Sequence, residues 1–209
     1  MYKHDARSAG VSKRMSQSTA KPRLILGSSS PRRRQLLEEA GYEFRVVPPR
    51  PQAECGLCSG EGPAETVARL ALAKAIDVAE QVGRGLIVAC DTVAEYGGQI
   101  LGKPADRDHA RQMLRMLSGQ RHRVYSGLCV WNVPSGTPAV EVDQTELTMD
   151  LMPDDQLEAY VGSGAWEGKA GGFGYQDRLG WVHILEGSES NVVGLPLERL
   201  TRMLAEAGY

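Results

Sequence analysis

The sequence lacks an excess of charge of either sign. Its 24 lysines and arginines against 26 aspartates and glutamates leave a formal net charge of −2 over 209 residues. Bulk electrostatics therefore give no support to a nucleic-acid partner, which a strongly basic field would favour. With 42% hydrophobic and 24% charged residues, the composition is that of a globular protein, and the length suits one domain with a full-sized core.

Long hydrophobic runs are also absent. No apolar stretch approaches the roughly 20 residues that span a bilayer, so we expect a cytoplasmic protein without membrane association. Residues 1–22 are basic and poor in large apolar side chains, which predicts a flexible tail before a domain at 23–209. The tail has no continuous apolar segment and is no secretory signal. A disordered extension or a misassigned start fits it better than a transit peptide, because it forms no amphipathic stripe.

Cysteine is scarce, and its spacing completes no metal site. Of the four cysteines, Cys55 and Cys58 form a Cys-x-x-Cys pair, but neither a second pair nor a His-x-x-x-His follows. We interpret this pair as part of a loop rather than as a zinc or redox centre. Cys90 and Cys129 lie in apolar runs and are expected in the core.

Three catalytic signatures are missing. The chain has no Gly-x-x-x-x-Gly-Lys-[Ser/Thr] phosphate loop, no Gly-x-Gly-x-x-Gly dinucleotide motif and no Gly-x-Ser-x-Gly nucleophile turn. None of the four histidines stands beside a serine or cysteine in a recognisable nucleophile setting. Serine-hydrolase chemistry and a dinucleotide-binding fold are therefore disfavoured.

Hydrophobic periodicity predicts strands that alternate with helices. Short apolar runs bounded by turn residues indicate strands, and apolar positions at helical spacing indicate helices. We expect strands at 23–26, 44–47, 86–89, 124–133, 140–149 and 181–185, and helices at 31–40, 64–82, 110–117, 154–161 and 196–207. Hairpin turns at 97–98 and 134–136 interrupt the alternation, which favours an α/β fold with a mixed sheet flanked by helices.

The first strand leads into an anion-binding pattern. Ser28 and Ser30 precede a helix that begins at Pro31, and Arg32 and Arg33 stand in its first turn. A helix N-terminus offers free N–H groups and a positive dipole, so arginines there call for a compensating anion. The pattern indicates a phosphate site, and an exposed basic turn with a routine serine cap is the alternative.

Three charged residues stand in unusual places. Lys74 lies on the apolar face of the helix at 64–82, where it either extends to the edge or points into a polar pocket. Asp91 follows the apolar strand at 86–89, at the sheet edge where α/β proteins bind ligands, and it can hold Mg²⁺ or activate water. Lys103 can return a positive charge to that edge. An aspartate that merely begins a turn is the alternative for Asp91.

Six sequence blocks stand in order and at fitting distances along the chain. They are GSSSPRR at 27–33, LALAKA at 70–75, DTV at 91–93 with LGKP at 101–104, MLRMLSG at 113–119, KAGGFGYQ at 169–176 and VGLPL at 193–197. Together they resemble the Maf family of nucleotide pyrophosphatases. The resemblance runs from about Leu24 to the C-terminus and omits only the tail.

The resemblance implies a fold related to the inosine triphosphate pyrophosphatases: a long, bent mixed β-sheet with a central cleft, usually in a dimer. It implies that Asp91 is the catalytic acid, acting as general base or metal holder. Ser28, Arg33, Lys74 and Lys103 match positions that hold the triphosphate and its metal. The expected cofactor is a divalent cation, Mg²⁺ with Mn²⁺ as the alternative. The expected partners are a nucleoside triphosphate and a second copy of the chain.

Three positions distinguish two branches of this family. The dTTP/UTP branch has Arg after Ser-Pro, Thr after the catalytic Asp and Gln in the glycine loop, here Arg32, Thr92 and Gln176. A glutamine amide can pair with the donor and the acceptor edge of a pyrimidine, whereas a carboxylate offers only acceptors. The resemblance implies cleavage of dTTP or UTP to the monophosphate and pyrophosphate. A 7-methyl-GTP or modified-nucleotide pyrophosphatase and a nucleotide-binding regulator of cell division are the alternatives.

One departure from the family concerns the metal. The family has an acidic pair at the start of the loop that spans residues 48–63 here, and this chain has only Glu54. If that pair supplies a metal ligand, Glu54 replaces it and shares the metal with Asp91.

Overall fold

The fold is a mixed sheet with helices on both faces, given by a computed structural model that describes residues 23–53, 56, 58 and 60–209. Its strands are β1 Leu24–Gly27, β2 Phe44–Val46, β3 Gly85–Tyr96, β4 Gln99–Leu101, β5 Arg121–Val133, β6 Ala139–Met149 and β7 Val182–Glu186. Its helices are α1 Pro31–Glu39, α2 Pro63–Val82, α3 Arg107–Leu117, α4 Asp154–Gly162, α5 Glu189–Val193 and α6 Leu197–Glu206. The predictions about the tail at 1–22, Glu54 and Cys55 lie outside the described residues.

The sheet order is β2-β1-β3-β5-β6-β7, with β4 paired to β3. β1 pairs in parallel with β2 and β3, because α1 and α2 return the chain across the sheet. The pairs β3–β5, β5–β6 and β6–β7 are antiparallel. The predicted mixed α/β sheet is therefore confirmed.

β3 is longer than the sequence predicted. The strand expected at 86–89 extends to Tyr96, and β5 pairs with it from Gly85 to Glu95. The polar pair of Asp91 and Thr92 interrupts the apolar run and suggests a strand end, but the ladder to β5 continues through it. The expectation that Asp91 follows the strand, and the alternative that it begins a turn, were both wrong.

A gap in the sheet nevertheless exposes the region around Asp91. β1 ends at Gly27 opposite Ala89, and β4 begins to pair with β3 only at Ala94. Because β5 occupies the other edge of β3 throughout, no described strand borders residues 90–93 on the β1 side. A ligand can therefore reach the sheet at residues 90–93, although Asp91 lies within a strand and not at a strand end.

Side chains along β3 alternate between the two faces of the sheet. Ile87 and Ala89 belong to the buried cluster beneath α2, whereas Val88 belongs to the cluster under α1 and α6. By the same alternation, Asp91 points toward α2 and Thr92 toward α1. The carboxylate of Asp91 and the hydroxyl of Thr92 thus lie on opposite faces of the sheet at the gap.

Two hydrophobic cores share the α1 face of the sheet. One lies under α1 and α6 and contains Leu128 of β5; the other lies under α3 and α4 and contains Val124 of the same strand. Since these two positions on β5 have the same parity, both cores pack on one face. The space between the cores lies over the gap in β3.

Gly127 brings α2 close to the sheet. It pairs with Asp91 across the β3–β5 ladder, and a Cβ on it would lie 2.0 Å from the carbonyl oxygen of Val67. Only a residue without a side chain allows the helix backbone to approach this closely. The same helix carries Lys74, so Gly127 helps to set the distance from α2 to the strand that carries Asp91.

Other sequence predictions have mixed outcomes. Cys90 and Cys129 are buried as expected, and Cys58 is exposed. Helix α5 was not expected, because the polar sequence around Ser188 shows no apolar periodicity. Among the described residues, no helix combines the length and the apolar character needed to cross a membrane.

Candidate functional site

A cleft of about 280 Å³ lies over the gap in β3. Its walls come from the tip of α1, the middle of α2, the loop after β4, the glycine-rich segment at 162–180 and the end of α5. Every side chain that the sequence assigned to substrate binding lines it: Ser28, Arg32, Arg33, Lys74, Thr92, Lys103 and Gln176. Ser28 and Gln176, 148 positions apart in the sequence, therefore line the same cleft.

The tip of α1 presents unsatisfied N–H groups to this cleft. Ser30 occupies the N-cap position, as the sequence predicted, but its side chain makes no capping hydrogen bond, so the alternative of a routine serine cap does not hold. Instead the Ser30 N–H donates to Ser28 Oγ at 3.2 Å. No acidic residue stands in the first turn of α1. The positive end of the helix is therefore left for an anion to compensate.

Arg33 connects α1 with β3 and α5. Its Nε donates to the Gly194 carbonyl at 2.7 Å, one terminal nitrogen to Ser28 Oγ at 3.2 Å and the other to Thr92 Oγ1 at 3.1 Å. The Thr92 hydroxyl lies 2.8 Å from Ser126 Oγ on β5. A guanidinium held at three points is preorganised, so little conformational entropy is lost when it meets a phosphate.

Arg32 reaches across the cleft mouth to the opposite wall. Its guanidinium donates to the Gly168 carbonyl at 2.6 Å. Burial, followed by the neighbouring charge of Arg33, lowers the pKa of Arg32 below its ordinary value, and Asp177 and Tyr160 act in the opposite direction. Arg32 therefore loses hydration here, and Arg33 adds a second positive charge beside it.

Lys74 and Asp91 form a close ion pair at the floor of the gap. Lys74 Nζ lies 2.5 Å from Asp91 Oδ1, with side chains only 5% and 15% exposed. Lys74 lines the cleft, which gives a physical reason for a lysine on an apolar helix face. Asp91 itself is not among the residues that line the cleft; it lies one contact away, paired to Lys74.

The donor set around Asp91 fits a metal that arrives with its substrate. Among the described residues, no three His, Cys, Asp or Glu side chains gather into a metal cage. Mg²⁺ is commonly held by one or two carboxylates together with substrate phosphates and water, so one carboxylate beside a phosphate-sized cleft suffices. Glu54 lies outside the described residues, and its role as a ligand stays a prediction.

Several residues at the cleft were not predicted from the sequence. Lys169, Glu167 and Phe173 line the glycine-rich wall, and Lys169 is nearly buried. A lysine at the start of a run of glycines was the available signal, since glycines mark a close approach of backbone to another group. Ser126 had a weaker signal, as a polar residue in a long apolar strand.

Asn191 holds α5 against the sheet. Its buried amide donates to the Val124 carbonyl at 3.3 Å and to Thr145 Oγ1 at 2.9 Å. The following residues of α5 and Gly194 line the cleft. No sequence signal marks this asparagine, because its partners lie on strands far away in the chain.

Comparison of the sequence with known protein families gives a match that agrees with this cleft. The profile of the family described as Maf-like protein matches residues 23–207. The chain belongs to the Maf-like protein family. The resemblance seen in the six sequence blocks is thereby confirmed.

Several Maf-like relatives are highly similar to this chain. A protein of Rhodopirellula baltica named dTTP/UTP pyrophosphatase is 53% identical over 182 residues, which cover 87% of this chain and 80% of the relative. A protein of Salinibacter ruber with the same name is 43% identical over 185 residues, 87% of this chain and 89% of the relative. These relatives match most of their own length, so the comparison concerns whole proteins rather than a shared segment.

A solved structure shares the fold. The structure of a HAM1 protein from Coxiella burnetii superposes with a TM-score of 0.50 at 17% identity, covering 88% of this chain and 99% of that chain. At this identity the likeness concerns the fold alone. It agrees with the mixed sheet and cleft described above.

Proposed function

We propose that this protein hydrolyses nucleoside triphosphates, with dTTP and UTP as the preferred substrates, to the monophosphate and pyrophosphate. The observation that carries the proposal is the convergence of Arg33, Lys74 and Lys103 on one cleft, with the Asp91 carboxylate paired to Lys74 directly beside it. Cations alone would suit any anion, whereas cations beside a carboxylate suit hydrolysis of a phosphoanhydride. The names of the Rhodopirellula and Salinibacter relatives support the same activity.

The reaction proceeds by attack of water on the α-phosphorus. The water oxygen forms the new P–O bond in line with the bridging oxygen toward the β-phosphorus, and the bond to that bridging oxygen breaks. Asp91 orients the water and accepts its proton. Lys74, at 2.5 Å, holds the Asp91 carboxylate in one orientation. No covalent intermediate with the protein is required.

The cations stabilise the charge that develops on the leaving pyrophosphate. Arg33, held by Ser28 and Thr92, and the ammonium of Lys103 line the cleft for this role. A Mg²⁺ or Mn²⁺ ion bound by Asp91 and the substrate phosphates would add neutralising charge. The α1 tip contributes N–H groups from fixed positions, so no reorganisation is needed during the reaction.

Gln176, Arg32 and Thr92 are the groups proposed to recognise the base. Gln176 stands on the glycine-rich wall, and its amide offers both a donor and acceptors to a pyrimidine. Arg32 and Thr92, the other two positions of the dTTP/UTP pattern, line the same cleft. A homodimer and a cytoplasmic location stay predictions.

The test is a substrate panel with the full-length chain. Purified protein is incubated with dTTP, UTP, CTP and 7-methyl-GTP, with Mg²⁺ or with a chelator, and pyrophosphate and monophosphate are measured. We expect equal amounts of both products from dTTP and UTP, only when metal is present. Fastest cleavage of 7-methyl-GTP would place the protein in the other branch. Tight nucleotide binding without product, or release of orthophosphate, would refute the proposed reaction.

A further inference from the structure

A largely buried polar network lies within the glycine-rich wall of the cleft, and its Lys169 lines the cleft. Lys169 Nζ and Tyr160 Oη both donate to Oδ2 of Asp177, the latter at 3.1 Å. Lys169 and Tyr160 are 8% and 6% exposed. Burial, followed by the charge of Asp177, raises the pKa of Tyr160, so its hydroxyl keeps its proton and remains a donor.

This network contacts the turn that carries Gln176. The 3-10 turn Tyr175–Asp177 ends at Asp177, whose N–H donates to the Gly174 carbonyl at 3.3 Å. A Cβ on Gly174 would lie 2.4 Å from Lys169 Nζ and 2.5 Å from Asp177 Oδ2. Gly174, two residues before Gln176, therefore packs against the ammonium–carboxylate pair, and Asp177, the residue after Gln176, supplies its carboxylate.

The network is anchored to the core and costly to disrupt. Tyr160 packs edge to face on Trp181, with ring centroids 5.2 Å apart. A buried ammonium that loses its carboxylate partner must move or become hydrated, because an unpaired buried charge is strongly unfavourable. Removal of the Asp177 charge would therefore let the turn shift, and Gln176 with it.

A mobile glutamine cannot discriminate well between pyrimidines. Uracil and thymine present an N–H donor between two carbonyl acceptors, whereas cytosine presents an amino donor beside a ring acceptor. A carboxamide that can rotate serves either pattern by exchanging its oxygen and nitrogen. Selectivity therefore requires that the amide be held in one place and orientation.

We propose that Lys169, Asp177 and Tyr160 are positioning residues for Gln176, and that their network sets the preference for uracil- and thymine-bearing triphosphates over cytosine-bearing ones. The proposal rests on the proposed function, since it assigns the base selectivity of that same site. It predicts that loss of the network changes the selectivity between bases more than the affinity for the phosphate groups.

The experiment compares wild type with Asp177→Asn, Tyr160→Phe, Gln176→Ala and the double variant that combines Asp177→Asn with Gln176→Ala. For each, kcat/KM is measured with UTP and with CTP, and inorganic tripolyphosphate, which has no base, is tested as a competitive inhibitor. Asp155→Asn is the matched control, because Asp155 is exposed on α4, the helix that carries Tyr160.

We expect the UTP-to-CTP ratio to fall by about tenfold in Asp177→Asn and about threefold in Tyr160→Phe, since small displacements of a positioning group are costly. The tripolyphosphate inhibition constant should stay within about twofold of wild type. The double variant should show little further fall beyond Gln176→Ala, because coupled residues are not additive. Asp155→Asn should keep the wild-type ratio.

Several outcomes would overturn the inference. An unchanged ratio in both network variants, additive effects with Gln176→Ala, or a parallel weakening of tripolyphosphate would each show that the network does not act through Gln176. If Asp177→Asn does not fold, Tyr160→Phe, which removes one hydroxyl, decides the matter. A wild-type protein that cleaves no nucleotide refutes the proposed function itself, whereas an active wild type with unaltered variant ratios refutes only the positioning role.

Discussion

Lys74 of α2 and Asp91 of β3 face each other at 2.5 Å in a gap of the sheet. The pair exists because β1 stops opposite Ala89 and because Gly127 lets α2 approach the strand. Removing the two charges of such a poorly exposed ion pair from water costs free energy. We therefore attribute a functional role to the pair. The proposed purpose is to present a correctly oriented carboxylate to water beside a bound triphosphate.

Asp91→Asn tests the proposed proton acceptor. An asparagine keeps the size of the side chain but cannot accept the proton, so kcat with dTTP should fall by about 10² to 10⁴-fold. Steady-state pyrophosphate release measures this. Asp150→Asn is the control, since Asp150 is exposed and does not line the cleft. A variant that cleaves as fast as wild type would remove Asp91 from the mechanism.

Arg33→Lys tests the role of the three-point arginine. A lysine retains the charge but cannot bond Gly194, Ser28 and Thr92 together, so the KM for dTTP should rise and kcat/KM should fall by roughly tenfold or more. Arg34→Lys is the matched control in the same turn, because Arg34 pairs with Glu38 on the exposed side of α1. Equal kinetics for both variants would contradict the assignment.

Gly127→Ala tests the close approach of α2 to the sheet. The added methyl group would meet the Val67 carbonyl at 2.0 Å, so helix or strand must shift. We expect a loss of roughly 1–3 kcal/mol in the free energy of unfolding, measured by urea titration. Gly102→Ala is the control, since nothing lies within 4 Å of its Cβ position. Similar stability of the two variants would show that α2 moves without cost.

His122 should make stability depend on pH in the acidic range. Burial lowers the pKa of His122 from 6.5 to about 4, despite opposing contributions from the Gln120 carbonyl and Glu95. Below pH 6.5 the unfolded chain binds a proton that the folded chain binds only near pH 4. The contribution of neutral His122 to the free energy of unfolding is therefore fully present above pH 6.5. It falls by about 3 kcal/mol as the pH decreases toward 4.

Urea unfolding between pH 7 and pH 4.5 of wild type and His122→Gln measures this contribution. The variant should lose less stability on acidification than wild type, because glutamine does not titrate. His183→Gln is the control, since the His183 side chain is 49% exposed and lies beside Asp150 at the surface. Identical pH profiles for His122→Gln and wild type would show that His122 is protonated as readily in the fold as in water.

Local sequence patterns predicted a helix or strand well where its bounds depend on the residues of that element alone. The helix expected at 64–82 is α2 at Pro63–Val82, because its apolar positions repeat at helical spacing and Gly83 ends it with φ 65°. The placement of Lys74 on its inward face followed from the same repeat. The strand end at Ala89 was wrong, because pairing with β5 extends β3 through two polar residues.

The sequence by itself determined the family, the mixed α/β sheet and the set of charged side chains whose positions in local patterns were unusual. Each of these depends on neighbours in the chain. Only the tertiary structure decided that Asp91 lies within a strand, that Arg33 is held at three points, and that Lys169 is enclosed with Asp177. These contacts join residues far apart in sequence, and their free energy comes from strand pairing and burial that no local pattern records.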